Sequence, residues 1–184
     1  MANDFLKSLT IRAGAALEAE DRLIMGSGHI RGEAGGILRL SNERYYQFLL
    51  WKAVLASWNA KVEEHSYDLV IFDPSESTKH LAIFEMKRWM GAKGNEPRDV
   101  NVINEDIERL QKCEAPNSAL IIFSANPRGM RDENLAFFES LFFGGVAQPQ
   151  RESYCFPTMN VSADEVEFWV AFWPIKFGPL FSQQ

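Results

Sequence analysis

Asp68, Glu85 and Lys87 are the residues whose types and spacing carry chemistry. Glu85-Met86-Lys87 follows the apolar run Leu81-Ala82-Ile83-Phe84, and a second run, Leu69-Val70-Ile71-Phe72, follows Asp68. Between the runs lies Asp73-Pro74-Ser75-Glu76-Ser77-Thr78-Lys79-His80, rich in turn formers. An antiparallel hairpin centred between Glu76 and Ser77 sets Phe72 opposite Leu81 and Asp68 opposite Glu85. Side chains alternate with period two, so Lys87 shares the face of Glu85. Like charges opposed across a ladder repel, so the acidic pair calls for a positive charge between its members. A hard divalent cation suits it: Mg²⁺ takes one or two protein carboxylates, keeps several waters and leaves room for phosphate. In the competing reading Lys87 merely neutralises a surface pair, or the register slips by one residue and sends Asp68 to the other face.

Asp68, a strand, a turn, a second strand and Glu85-x-Lys87 resemble the signature of PD-(D/E)XK nucleases, the restriction-endonuclease-like superfamily. Tyr67 stands where that name has proline. The superfamily core runs helix, three-stranded meander, helix, strand, and the chain reads in that order over residues 41–126. The resemblance implies an α/β fold with a restriction-endonuclease-like core, a mixed central sheet flanked by helices. An extra N-terminal helix and a C-terminal helix and strand extend it. It also implies Asp68 and Glu85 as ligands of Mg²⁺ (Mn²⁺ as substitute), with the Met86 backbone carbonyl beside them. Lys87 then orients the attacking water or stabilises developing charge, and Glu43 reaches in from the first core helix. The implied function is endonucleolytic hydrolysis of DNA phosphodiester bonds, in restriction, defence or repair, leaving 5′-phosphate and 3′-hydroxyl ends. A homodimer follows by family analogy alone. The alternative is a nuclease-like module without hydrolytic activity that binds nucleic acid or serves assembly.

The elements that must position these residues are legible as patterns. Residues 4–23 carry an apolar stripe at helical spacing, followed by a glycine-dense segment at 26–36 that lacks any phosphate-loop motif. Ser41 or Asn42 can cap a helix reaching Trp58, apolar around most of its circumference. Glu43 lies in its first turn, where it suits the helix dipole or points into the site, and Gln47 shares its face. Residues 60–64, 67–73 and 80–89 read as the meander, and 90–99 as a polar loop. A helix over 100–113 buries Val100, Ile103, Ile107 and Leu110, and sets Asn104 and Glu108 on another face. Residues 118–124 read as a central strand, because continuous apolar runs suit strands covered on both sides. A helix over 132–143 and a strand over 165–173 complete the chain. Trp169, Trp173 and Phe177 suit core packing better than base stacking.

At 184 residues with 46% hydrophobic content, one domain is expected over 1–184: a core at 41–126, an N-terminal part at 1–40 and a C-terminal extension at 127–184. The net charge of −6 argues against indiscriminate nucleic-acid binding, although Lys79, His80, Lys87, Arg88, Lys93 and Arg98 gather around the hairpin, and Arg128 and Arg131 flank a later loop. Cys113 and Cys155 lack metal-type spacing and read as free thiols, and His29, His65 and His80 form no zinc pattern. No apolar run spans a membrane and no secretory signal is read, so a cytoplasmic protein is expected.

Overall fold

The two runs carrying Asp68, Glu85 and Lys87 fold as paired strands. The computed structural model describes residues 2–26, 36–39, 42–89, 97–144, 151–158 and 166–177. Strands β1 (Ala60–Glu64), β2 (Tyr67–Phe72) and β3 (His80–Trp89) form an antiparallel meander. Leu69 pairs with Phe84, Val70 with Ile83 and Ile71 with Ala82, the register expected from the sequence. Toward the turn the expected pairing of Phe72 with Leu81 fails: Phe72 pairs with His80 across a bulge. A bulge accommodates the extra residue locally, so the register at the Asp68 end is untouched.

Helix α1 spans Ala2–Gly26 and α2 spans Glu43–Leu55, with a short 3-10 helix, Gly36–Arg39, between them. Asn42 caps α2, its side chain accepting from the Arg44 N–H at 3.0 Å. This helix ends three residues before Trp58 and leaves Phe48 and Leu55 exposed, so it is less apolar around its circumference than its composition implies. Helix α3 spans Pro97–Lys112, beginning within the segment expected to be loop; proline at the first helical position lacks only a hydrogen bond that no helix start can make. It carries the chain across to β4 (Asn117–Pro127), which lies parallel to β3. Helix α4 (Arg131–Phe142) follows, then β5 (Glu152–Pro157) and β6 (Val166–Phe177). The strand order is β1-β2-β3-β4-β6-β5, an open mixed sheet of six strands.

The expected single C-terminal strand is thus two. Edge strand β5 escapes sequence reading because only Phe156 among its residues is fully buried, so its hydrophobic signal is weak. The glycine-dense segment lies mostly outside the described residues.

Alternation along the strands splits the core into two layers. Leu69, Ile71, Phe84, Met86 and Ile121 pack against Leu6, Leu9 and Leu17 of α1 and Tyr46, Leu50 and Val54 of α2. Val70, Ile83, Trp89, Leu120 and Ile122 pack against Ile103 and Leu110 of α3 and Leu135 and Phe138 of α4. Trp169 and Trp173 are fully buried in this second layer, as core packing requires.

Helix α1 approaches β5 so closely that a Cβ on Gly14 sits 2.1 Å from Cγ of Tyr154. The Tyr154 hydroxyl is committed to Glu18 at 2.6 Å. Gly14→Ala is therefore expected to destabilise the protein by about 1–3 kcal/mol in urea unfolding, overpacking outweighing the gain in helix propensity.

Candidate active site

Strand β3 outruns its partner β2, and the backbone donors it leaves open are taken by acidic side chains. The last β2–β3 pair before the site is Leu69 with Phe84. Beyond it, Asp68 Oδ2 accepts from the Met86 N–H at 2.7 Å, and Glu43 Oε2 accepts from the Arg88 N–H at 3.1 Å. Buried backbone donors need partners, so strand geometry itself recruits these two carboxylates. Gln47, one turn after Glu43, donates to the Asp68 carbonyl at 2.6 Å and fixes the start of β2. Sequence reasoning placed Glu43 and Gln47 on one face, and both reach the site.

Lys87 lies at the centre. Its Nζ is 3.3 Å from Glu43 Oε1, 3.4 Å from Asp106 Oδ2 and 3.9 Å from Asp68 Oδ2. Burial opposes its charge, but Glu43, Asp106 and Asp68 together outweigh that and raise its pKa. Glu85, only 1% exposed, feels the charge of the Asp68 carboxylate, which accepts a hydrogen bond from it when Glu85 is protonated. Burial first, then Asp68 and Asp106, push the Glu85 pKa up to about 9, against the pull of Arg109. Burial also raises the pKa of Glu43, opposed by Lys87 and the Arg88 N–H.

Two site residues were missed. Asp106, 3% exposed, and Arg109 both come from α3. One guanidinium nitrogen of Arg109 lies 2.8 Å from Glu85 Oε1 and 2.5 Å from Asp106 Oδ1. A signal existed: Asp106 falls between Ile103, Ile107 and Leu110 on the buried stripe, where an acid is costly unless paired. Asn104 and Glu108, set on a face away from the buried stripe, are exposed as a solvated face requires, and Glu108 pairs with Lys112. The Met86 side chain packs in the opposite core layer, so only its backbone borders the site.

The end of β1 and the turn before Asp68 are strained. Glu63, His65 and Ser66 all have positive φ (54°, 52° and 69°), and none is glycine. Such residues need local support. Gln47 reaches Glu63 at 3.3 Å, and Arg109 donates to the Ser66 carbonyl at 3.4 Å, tying the turn to the site from both sides.

The expected basic cluster divides. Lys79 pairs with Asp73, and the His80 ring packs on Phe72 and His65, whereas Lys87 is about 23 Å further along the strand. Arg131 pairs with Asp132. Lys93 and the Arg98 side chain lie outside the described residues.

Four acidic side chains (Glu43, Asp68, Glu85, Asp106) thus surround two cations, Lys87 and Arg109. Among the described residues, no three His, Cys, Asp or Glu side chains converge closely enough to hold a metal ion in this arrangement. The donor chemistry nevertheless fits one. All four acids offer hard oxygens, acidic charge exceeds basic, and buried Glu85 Oε1 and Asp106 Oδ2 lack a hydrogen bond in usable geometry.

The fold defines an α/β protein with a mixed open sheet and an acidic cluster at the β2–β3 junction. Comparison of the chain with protein-family models, curated proteins and solved structures gives no match. Among the described residues no helix is long and apolar enough to cross a membrane. Cys113 and Cys155 are free thiols.

Proposed function

We propose that this protein is a metal-dependent nuclease of the PD-(D/E)XK type, hydrolysing phosphodiester bonds in DNA. The observation that carries this reading is the meeting of the Asp68 and Glu85 carboxyl groups from neighbouring strands, with the Lys87 ammonium 3.9 Å from Asp68. The order helix α2, meander β1–β3, helix α3, strand β4 supports the same assignment.

Asp68 and Glu85 are the residues that would hold Mg²⁺, beside the Met86 backbone. The ion, when bound, supplies Lewis-acid polarisation of the phosphate and a water of lowered pKa. Lys87 carries a held positive charge to the position where negative charge builds on the phosphate, and so stabilises the transition state. Glu43 orients Lys87 through its 3.3 Å contact and keeps the amine protonated. Burial and the neighbouring acids favour the protonated form of Glu85 when no cation is near, and as a ligand it would be the carboxylate.

Cleavage of plasmid DNA and of single-stranded RNA, with Mg²⁺, Mn²⁺ or chelator, tests the proposal. Metal-dependent products bearing 5′-phosphates are expected from DNA, and Asp68→Asn should lower the rate roughly 10³-fold. Equal cutting by parent and variant refutes the assigned site. The second reading, a non-hydrolytic binding or assembly module, draws support from the cations that already satisfy much of the acidic cluster. It predicts DNA retention without cleavage under every metal condition.

A further inference from the structure

We infer that Arg109 is an ion-displaceable latch and that Asp106 is a further metal ligand, both delivered to the acidic cluster by α3. This inference rests on the metal-binding reading of the site. The guanidinium joins Glu85 and Asp106, the two most buried acids of the cluster, and does so in the position of a bridging cation. Neither acid can leave for solvent, since each is carried by its own strand or helix with almost no exposed surface, although its carboxyl can still turn toward an ion. Arg109 can, because its side chain is 45% exposed and sits in the last turn of α3. Its contact with Glu85 is close but poorly aligned for hydrogen bonding, which leaves Oε1 open to a better partner. Asp106 Oδ2 is likewise buried without a hydrogen bond, 3.4 Å from Lys87 and directed at the cluster.

A divalent ion offers these oxygens more charge than one guanidinium and accepts ligands from several directions. With an ion held there, the Glu85–Arg109–Asp106 bridge would give way and Asp106 would serve as a ligand rather than as an ion-pair partner. Arg109 is released toward solvent, where its planar fork suits a phosphate. Among the other acids of α3 whose side chains are described, Glu105 and Glu108 are exposed and take no part.

Calorimetric titration of the full chain with MnCl₂ tests the latch, with thermal melting in chelator as a second readout. Arg109→Gln removes the competitor, so Mn²⁺ should bind roughly fivefold or more tightly, while the metal-free protein melts at lower temperature. Asp106→Asn should weaken Mn²⁺ binding by at least the same factor. If the glutamine variant does not fold, Arg109→Lys keeps the charge without the bridging fork and should still tighten binding, by a smaller factor. If the parent binds Mn²⁺ and Arg109→Gln binds it equally or more weakly, the latch is refuted and the metal site stands. If Asp106→Asn binds as the parent does, Asp106 is not a ligand. If no variant and no parent takes up Mn²⁺, the metal-binding reading itself fails, and the latch with it.

Discussion

Glu85→Gln is expected to stabilise the metal-free protein by about 2 kcal/mol near pH 8 while abolishing metal-dependent cleavage. For a chain of this size that corresponds to a rise in melting temperature of roughly 4–8 °C. Burial, then Asp68 and Asp106, raise the Glu85 pKa from 4.5 to about 9. Across that window the folded protein binds more protons at this residue than the unfolded chain. Stability therefore falls as pH rises from about 4.5 toward 9. Glutamine copies the shape of the protonated acid and does not titrate, so its advantage should be absent near pH 4.5 and grow with pH. Thermal melts of both proteins in chelator from pH 5 to 9 check this. Parallel pH profiles would falsify the assignment of a proton to buried Glu85. Saturating Mn²⁺ should reverse the order, stabilising the parent and leaving the variant unchanged.

Lys87→Ala should act in the opposite direction, costing about 3 kcal/mol at pH 7.5 in the absence of metal. Its ammonium stands within 4.0 Å of Glu43, Asp68 and Asp106, and alanine leaves those acids facing one another across a half-buried site. The folded-state pKa of Lys87 is raised above 10.5, so its stabilising contribution is complete below the unfolded value and is lost only as pH rises through the folded one. In the variant the remaining stress is carboxylate repulsion, which acid relieves. Urea unfolding should show the deficit shrinking between pH 7.5 and pH 5. An unchanged deficit at both values indicates lost packing of the lysine stem rather than lost charge. Loss of cleavage therefore needs to be read beside stability for Lys87→Ala, whereas Asp68→Asn keeps a hydrogen-bond acceptor for the Met86 N–H and isolates the chemistry.

The sequence by itself determined the meander, its register next to Asp68, a helix cap at Ser41 or Asn42 and the two-faced character of β2, β3 and β4. These depend on short-range physics: period-two alternation, turn formers between runs, and a side-chain acceptor at a helix start. That same local logic brought Asp68, Glu85 and Lys87 together, because a hairpin fixes who meets whom within some twenty residues. Tertiary structure alone decided the rest. The faint edge strand β5 becomes visible only where β6 offers it a ladder. The family resemblance points to Glu43, but the partner that holds it is tertiary: β3 outruns β2 and leaves the Arg88 N–H open, a consequence of unequal strand lengths that no single segment encodes. Asp106 and Arg109 enter because α3 docks its Ile103–Leu110 stripe on the sheet directly over Glu85. The perturbed proton of Glu85 belongs to the same category, since desolvation and field come from neighbours distant in the chain.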